Sequence, residues 1–167
     1  MRRDELEARL AELLHTAEFD DDSSNGLQVE GRGEIRRVAL SVTACAEAFT
    51  RAAEGGADAL IVHHGLFWRG RLPDRVRGPL RERLALLLRH DLNLFAYHLP
   101  LDAHPELGNN AVAARELGFS DPQPFGEYHG HKLGWWGSLP EPVGRAELLA
   151  KMERYYGHQA FVVPAGD

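Results

Sequence analysis

Sulfur is scarce in this sequence. Cys45 is the single cysteine, and there are only two methionines. One thiol excludes an intrachain disulfide and fits a reducing compartment, so a packed core must hold the fold. No apolar run approaches the roughly 20 residues that cross a bilayer as a helix. The start, Met1-Arg2-Arg3, leads into a charged amphipathic stretch and lacks an apolar signal core. There is no basic block either. Lys and Arg total 19 against 25 Asp and Glu, a net charge of −6, which leaves no electrostatic case for a nucleic-acid partner. The phosphate-cradling glycine loops and the G-x-S-x-G nucleophile elbow are absent too. These absences lead to the expectation of a cytoplasmic protein without a membrane partner. The length of 167 residues fits one domain, or one domain with a small appendage.

What is present is an alternation of strand and helix patterns. Leu6, Leu10, Leu13 and Leu14 recur at helical spacing within residues 4–16. A turn-rich stretch follows, with Asn25-Gly26 as its strongest signal. Residues 37–42 read as a strand, 46–54 as a helix stopped by Gly55-Gly56, and 59–62 as a buried strand. Residues 80–90 read as a helix with Pro79 in its first turn, and 94–97 as a third strand. Asn109 or Asn110 can cap a helix ending before Gly118. This order predicts an α/β fold, a mainly parallel sheet with helices on both faces. After Gly118 the chain turns rich in Gly, Pro and aromatics. A boundary near residue 120 is expected, giving an α/β lobe over 1–120 and a partial α+β segment over 121–167. Within the latter, 132–139 reads as a strand. A helix carries Leu148, Leu149, Met152 and Tyr156 on one side and ends at Gly157, and 160–163 reads as a last strand.

The chemistry gathers at strand ends. "LIVHHGLFW" (60–68) places His63 and His64 where the second strand stops, and Gly65 frees the backbone to turn. Inside a strand, adjacent side chains point to opposite faces; at its terminus that alternation relaxes, and two rings can converge. The third strand is followed by His98, Asp102 and His104. Parallel strands deliver their following loops to one sheet edge, where open α/β sheets bind ligands. Imidazoles with a carboxylate suit a divalent transition metal, Zn, Mn, Fe, Co or Ni, and Asp102 has oxygens enough to bridge two ions. The ordinary alternative for each loop histidine is a hydrogen-bonded or surface residue. His104 can serve only to orient its loop, and His98 can act as a proton carrier or hydrogen-bond donor in place of a ligand.

Other features carry less. His129 and His131 would share one face of an extended segment, more simply as a solvent-facing strand than as a metal pair. Trp135-Trp136 read as core and interface. Phe67-Trp68 either wall the site or pack the loop. Asn25, Gln28 and Glu30 can line a site, but "SSNGL" is first of all a turn, and Cys45 reads as buried.

"NGLQVEG" (25–31), "IVHHGLFW" (61–68) and "HLPLDAHPELGNN" (98–110), in this order and spacing, resemble the GTP cyclohydrolase 1 type 2 homologs, dinuclear-metal-centre hexameric proteins. The resemblance is strong over residues 1 to about 120 and looser beyond. It implies that His63 and His64 each bind one of two metal ions, that Asp102 bridges them, and that His98 stands near. It also implies a toroidal homohexamer with sites facing an internal cavity, and metal-dependent hydrolysis of GTP or a related nucleotide. His98 is the candidate proton carrier by position only. A metal-dependent phosphoesterase and a non-enzymatic metal-binding scaffold or adaptor are the alternatives. Family members carry a late His-x-x-x-Glu pair that completes the metal shell. Here Leu133, Trp135 and Val162 stand four residues after His129, His131 and His158. The expectation is therefore a truncated chain that stops inside an inserted domain, with an incomplete dinuclear site.

Overall fold

In a computed structural model, residues 1–70, 74–163 and 165 are described. The chain forms two compact units, Met1–His104 and Pro105–Asp167.

The first unit is built on a four-stranded sheet ordered β1-β4-β3-β2. Strands β2 (Val38–Thr43), β3 (Ala59–His64) and β4 (Asn93–Ala96) run parallel. The first strand, β1 (Gly26–Val29), pairs antiparallel with β4, so the sheet is mixed rather than purely parallel. The sequence reading of this stretch as a turn missed that strand. Its turn signal is real, but it marks the entry to four residues too few to display an alternation.

Alternation in β3 and β4 sorts the core onto two faces. Leu60, Val62, Leu94 and Ala96 point to one side, where Phe49 and Ala52 of α2 (Ala46–Glu54) and Leu87 of α3 (Pro79–Arg89) cover them. Ala59 and Phe95 point to the other, against Leu14 and against Leu6 and Leu10 of α1 (Arg3–Leu13). Burial on both faces explains why β4 is apolar throughout apart from Asn93. That amide is itself satisfied, accepting from Gly31 N and donating to the carbonyls of Arg32 and Asp58. Asp58, just before β3, fastens the start of β2 by accepting from the backbone N–H groups of Arg36 and Arg37 at 2.8 and 2.9 Å. The Arg36 bond leads in holding its carboxyl below the usual range; burial works against it, and Arg37 and Arg32 add to it.

Cys45 is half-buried rather than buried. It caps α2, its thiol accepting from Ala48 N at 3.5 Å. Its place at a helix start, rather than on a strand face, explains the difference.

The second unit contains α5 (Asn109–Glu116), an antiparallel hairpin of β5 (Ser120–Tyr128) and β6 (His131–Ser138), and α6 (Arg145–Tyr156). Gly108, rather than Asn109 or Asn110, is the residue that precedes α5 as its cap. His129 and Gly130 form the two-residue turn with φ of 49° and 81°, the left-handed geometry that closes tight hairpins. His129 therefore lies in the turn while His131 begins β6, and the shared extended face expected for them does not exist. Trp136 is exposed and Trp135 half-buried. Gly157 ends α6 in the left-handed region as anticipated, at φ 71°. Residues 160–163 do not form a strand, and Phe161 is 94% exposed. Their β-branched composition has no neighbouring strand among the described residues to pair with.

Candidate metal centre

The site stands at the carboxyl edge of the parallel strands. His63 and His64 are the last two residues of β3, and their ring centroids are 4.4 Å apart. His98 follows β4 and precedes the short helix α4 (Leu99–Ala103), which carries Asp102. The His98 ring lies 4.9 Å from that of His63 and 5.8 Å from that of His64. One nitrogen from each of the three histidines falls within 4.8 Å of the others. Asp102 Oδ2 is 3.5 Å from His63 Nε2. Residues named from two separate loops thus converge. The helix α4 was not expected; five residues opened by a Leu-Pro pair are too few for a periodic pattern.

The Nδ1 atom of each ring faces a protein oxygen. His63 Nδ1 donates to the Tyr97 carbonyl at 3.2 Å, His98 Nδ1 stands 2.9 Å from Asp21 Oδ1, and His64 Nδ1 lies 3.4 Å from Thr43 Oγ1. Partners of this kind orient metal-ligating histidines through the ring nitrogen that does not bind the ion. His63 is only 9% exposed. Burial lowers its pKa, as do the neighbouring rings of His64 and His98. The Asp102 charge and the Tyr97 carbonyl oppose this without reversing it. A neutral imidazole is the form that offers a lone pair to a metal.

This donor set fits a divalent transition metal. At ordinary metal–nitrogen distances of about 2.0–2.1 Å, donors on one ion lie up to about 4.2 Å apart. The three rings are within a small adjustment of that, and the nearby carboxylate supplies an oxygen. The described residues provide such a group for one ion.

The remaining candidates sort by position. Trp68 walls the site, its ring edge-on to His98 at 5.1 Å, and its indole N–H bonds the Gly65 carbonyl. Phe67 packs against the core instead. His104 caps the end of α4 and is not in the three-histidine group. Asn25 and Gln28 back the site from behind. Asn25 Oδ1 accepts from His98 N, and Gln28 Oε1 accepts from Leu66 N and Phe67 N in the loop after His64. Glu30 pairs with Arg3 at 2.6 Å, away from this chemistry. Gly65 is needed for space rather than for turning, because a Cβ there would collide with the Gln28 amide.

Sequence reasoning missed Asp21. This carboxylate is 2% exposed. Besides facing His98 Nδ1, it accepts from Ser23 N, Asn25 Nδ2 and Leu99 N, all at 2.9 Å. Burial alone would raise its pKa, but these hydrogen bonds, the one from His98 foremost, bring it below the usual carboxylate value. In the sequence it is one acid among Asp20, Asp21 and Asp22, and nothing local singles it out.

Known proteins share this sequence and fold. The chain is 47% identical over 164 residues to the GTP cyclohydrolase 1 type 2 homolog of Deinococcus radiodurans, covering 98% of this chain and 62% of that protein. It is 56% identical over 152 residues to the protein of the same name from Neisseria meningitidis serogroup B, covering 91% and 59%. The crystal structure of TTHA1606 from Thermus thermophilus superposes with a TM-score of 0.82 at 42% identity, covering 95% of this chain and 63% of that one. The chain thus spans less than two thirds of the length of these relatives. The family match extends over residues 1–165, and the chain belongs to the Duf34/NIF3 (NGG1p interacting factor 3) family.

Proposed function

We propose that His63, His64 and Asp102 hold a divalent transition metal, and that this site belongs to a metal-dependent hydrolase of GTP or a related nucleotide. The observation that carries the reading is the convergence of three imidazoles whose Nδ1 atoms already face protein oxygens, beside the Asp102 carboxylate. The relatives' name supplies the substrate class. A bound ion of this kind supplies Lewis acidity and lowers the pKa of water toward neutrality. His63 stays neutral through burial, and His64 completes the nitrogen pair. His98, held against Asp21, presents its other nitrogen to the site as the proton carrier for opening of the purine ring at C8. By family, two ions per active site and a homohexamer with sites toward a central cavity are the expected complete state. The metal chemistry resides in residues 1–120, and 121–167 form the start of an inserted α+β domain.

A second reading is a metal-binding scaffold without turnover. It is favoured by the ligand count, since the described residues form a donor group for one ion. Incubation with GTP and Zn²⁺, Mn²⁺ or Co²⁺ separates the two, with Asp102→Ala as control. Turnover of GTP that disappears in Asp102→Ala supports the hydrolase. Product identity separates ring opening from phosphate release. Metal binding without turnover in an assembled oligomer favours the scaffold, and equal metal content in Asp102→Ala and the parent overturns the site itself.

A further inference from the structure

We propose that Asp21 is a positioning residue that fixes the tautomer and orientation of His98, so that the Nε2 lone pair of His98 faces His63 and His64. The inference rests on the site proposed above but is tested without metal. The donors around the carboxylate decide the tautomer. Oδ1 of Asp21 receives Ser23 N and stands 2.9 Å from His98 Nδ1; Oδ2 receives Asn25 Nδ2 and Leu99 N. Backbone amides can only donate. The Asn25 amide is fixed in orientation because its own Oδ1 accepts from His98 N at 2.8 Å. A carboxylate ringed by three obligate donors has no proton to offer, so the fourth partner must donate as well. His98 therefore carries its proton on Nδ1. Free neutral histidine favours the opposite tautomer, so this state is imposed by the surroundings.

The same carboxylate ties together three parts of the fold that the sequence keeps far apart. It organises its own turn through Ser23 and Asn25, it satisfies Leu99 N at the first residue of α4, and it holds the ring of His98. The backbone that aims Asp102 and the ring that faces the other histidines are thereby referred to one fixed point. A one-angstrom misplacement of a reacting group can cost about a hundredfold in rate, which gives such a shared anchor its use.

The test is nitrogen-15 NMR of the histidine rings in metal-free protein at a pH of about 9, where ordinary imidazoles are neutral. In the parent, His98 should show a protonated Nδ1 and an unprotonated Nε2. Asp21→Asn replaces one oxygen by an amide donor, and His98 should lose its uniform Nδ1–H state. Asn25→Ala removes a neighbouring strut but leaves the carboxylate facing the ring, and should retain that state. An Nε2–H tautomer in the parent overturns the proposal, and this measurement stands even where Asp21→Asn fails to fold. Retention of Nδ1–H in Asp21→Asn, or its loss in Asn25→Ala, overturns it as well. A parallel Co²⁺ titration of the parent reports separately on the metal site: absence of binding there sinks the metal reading while leaving the tautomer result intact.

Discussion

The two compact units differ in how much of their large apolar side chains they enclose. In Met1–His104, Leu60, Leu87, Leu94, Phe95 and Tyr97 are 1% exposed or less. In Pro105–Asp167 the small Ala111, Ala113 and Ala114 are buried with Leu117, while Phe125, Trp136, Tyr156 and Phe161 are at least half exposed. Neither strand of the hairpin and no residue of α6 is fully buried. The central strands β3 and β4, covered on both faces, enclose their side chains, although Leu40 and Val42 of the edge strand β2 stay exposed; a two-stranded ribbon with single helices cannot do so, and is marginal alone. The proposed chemistry sits wholly in the unit with the dense core, where rigid strand ends can aim side chains.

The most severe way to break this contrast is truncation of the core. Leu60→Ala should cost about 2–5 kcal/mol by lost burial and the cavity left behind. Trp136→Ala, on a surface strand, should stay within about 0.5 kcal/mol. Urea titrations followed by far-ultraviolet circular dichroism measure both. A larger loss from Trp136→Ala would mean that the hairpin carries stability its exposure conceals.

Next in size is metal. If His63, His64 and Asp102 bind it, Zn²⁺ at 100 times its dissociation constant should add about 2.7 kcal/mol, provided the unfolded chain does not bind. Hydrogen exchange should slow at β3, β4 and α4 and remain unchanged in the hairpin. Asp102→Ala should abolish the gain. Protection spread equally over both units, or a gain that survives in Asp102→Ala, would place the ion elsewhere.

Much of this was legible in the sequence because it repeats. The helix over Ala46–Glu54 and the strand core of Ala59–His64 follow from periodicity and from glycine stops. The histidines were legible because parallel strands share an edge. What stayed hidden lacked length or local context. Four residues of β1 and five of α4 cannot display a period. Pro122 and Pro124 concealed β5, although a ribbon with one partner tolerates proline. Asp21 acts across 77 residues on His98, a relation that no spacing rule anticipates.

Acid should sharpen the contrast further. His63, Asp21 and Asp58 all have pKa values lowered by folding. The unfolded groups thus bind protons at a higher pH than the folded ones, and stability falls as pH drops. The His63 contribution begins to be lost below its ordinary value of 6.5, and those of the two aspartates below 3.8. All three lie in the first unit. In metal-free protein, amides of β3 and β4 should lose protection as pH falls through the histidine window, and His63→Gln should remove that first phase while leaving the carboxylate phase. An unchanged first phase in His63→Gln would assign it to another histidine.

The most local of the expected effects belongs to the hairpin turn. Gly130 has φ 81°, and a Cβ there would meet nothing within 4 Å. Gly130→Ala is therefore a conformational change without a clash, and it should cost about 1–2 kcal/mol from left-handed geometry alone. Because the hairpin has little buried surface, that loss should appear as local opening of β5 and β6, seen as faster amide exchange at Phe125, Glu127 and Lys132. The metal-site unit should not register it. Gly65→Ala is the matching change there, with an ordinary φ but a collision against Gln28. Displacing that amide frees Leu66 N and Phe67 N, so its effect should appear in metal affinity and in the loop after His64. If Gly130→Ala weakens Co²⁺ binding as much as Gly65→Ala does, the units are energetically coupled and the division of labour between them fails.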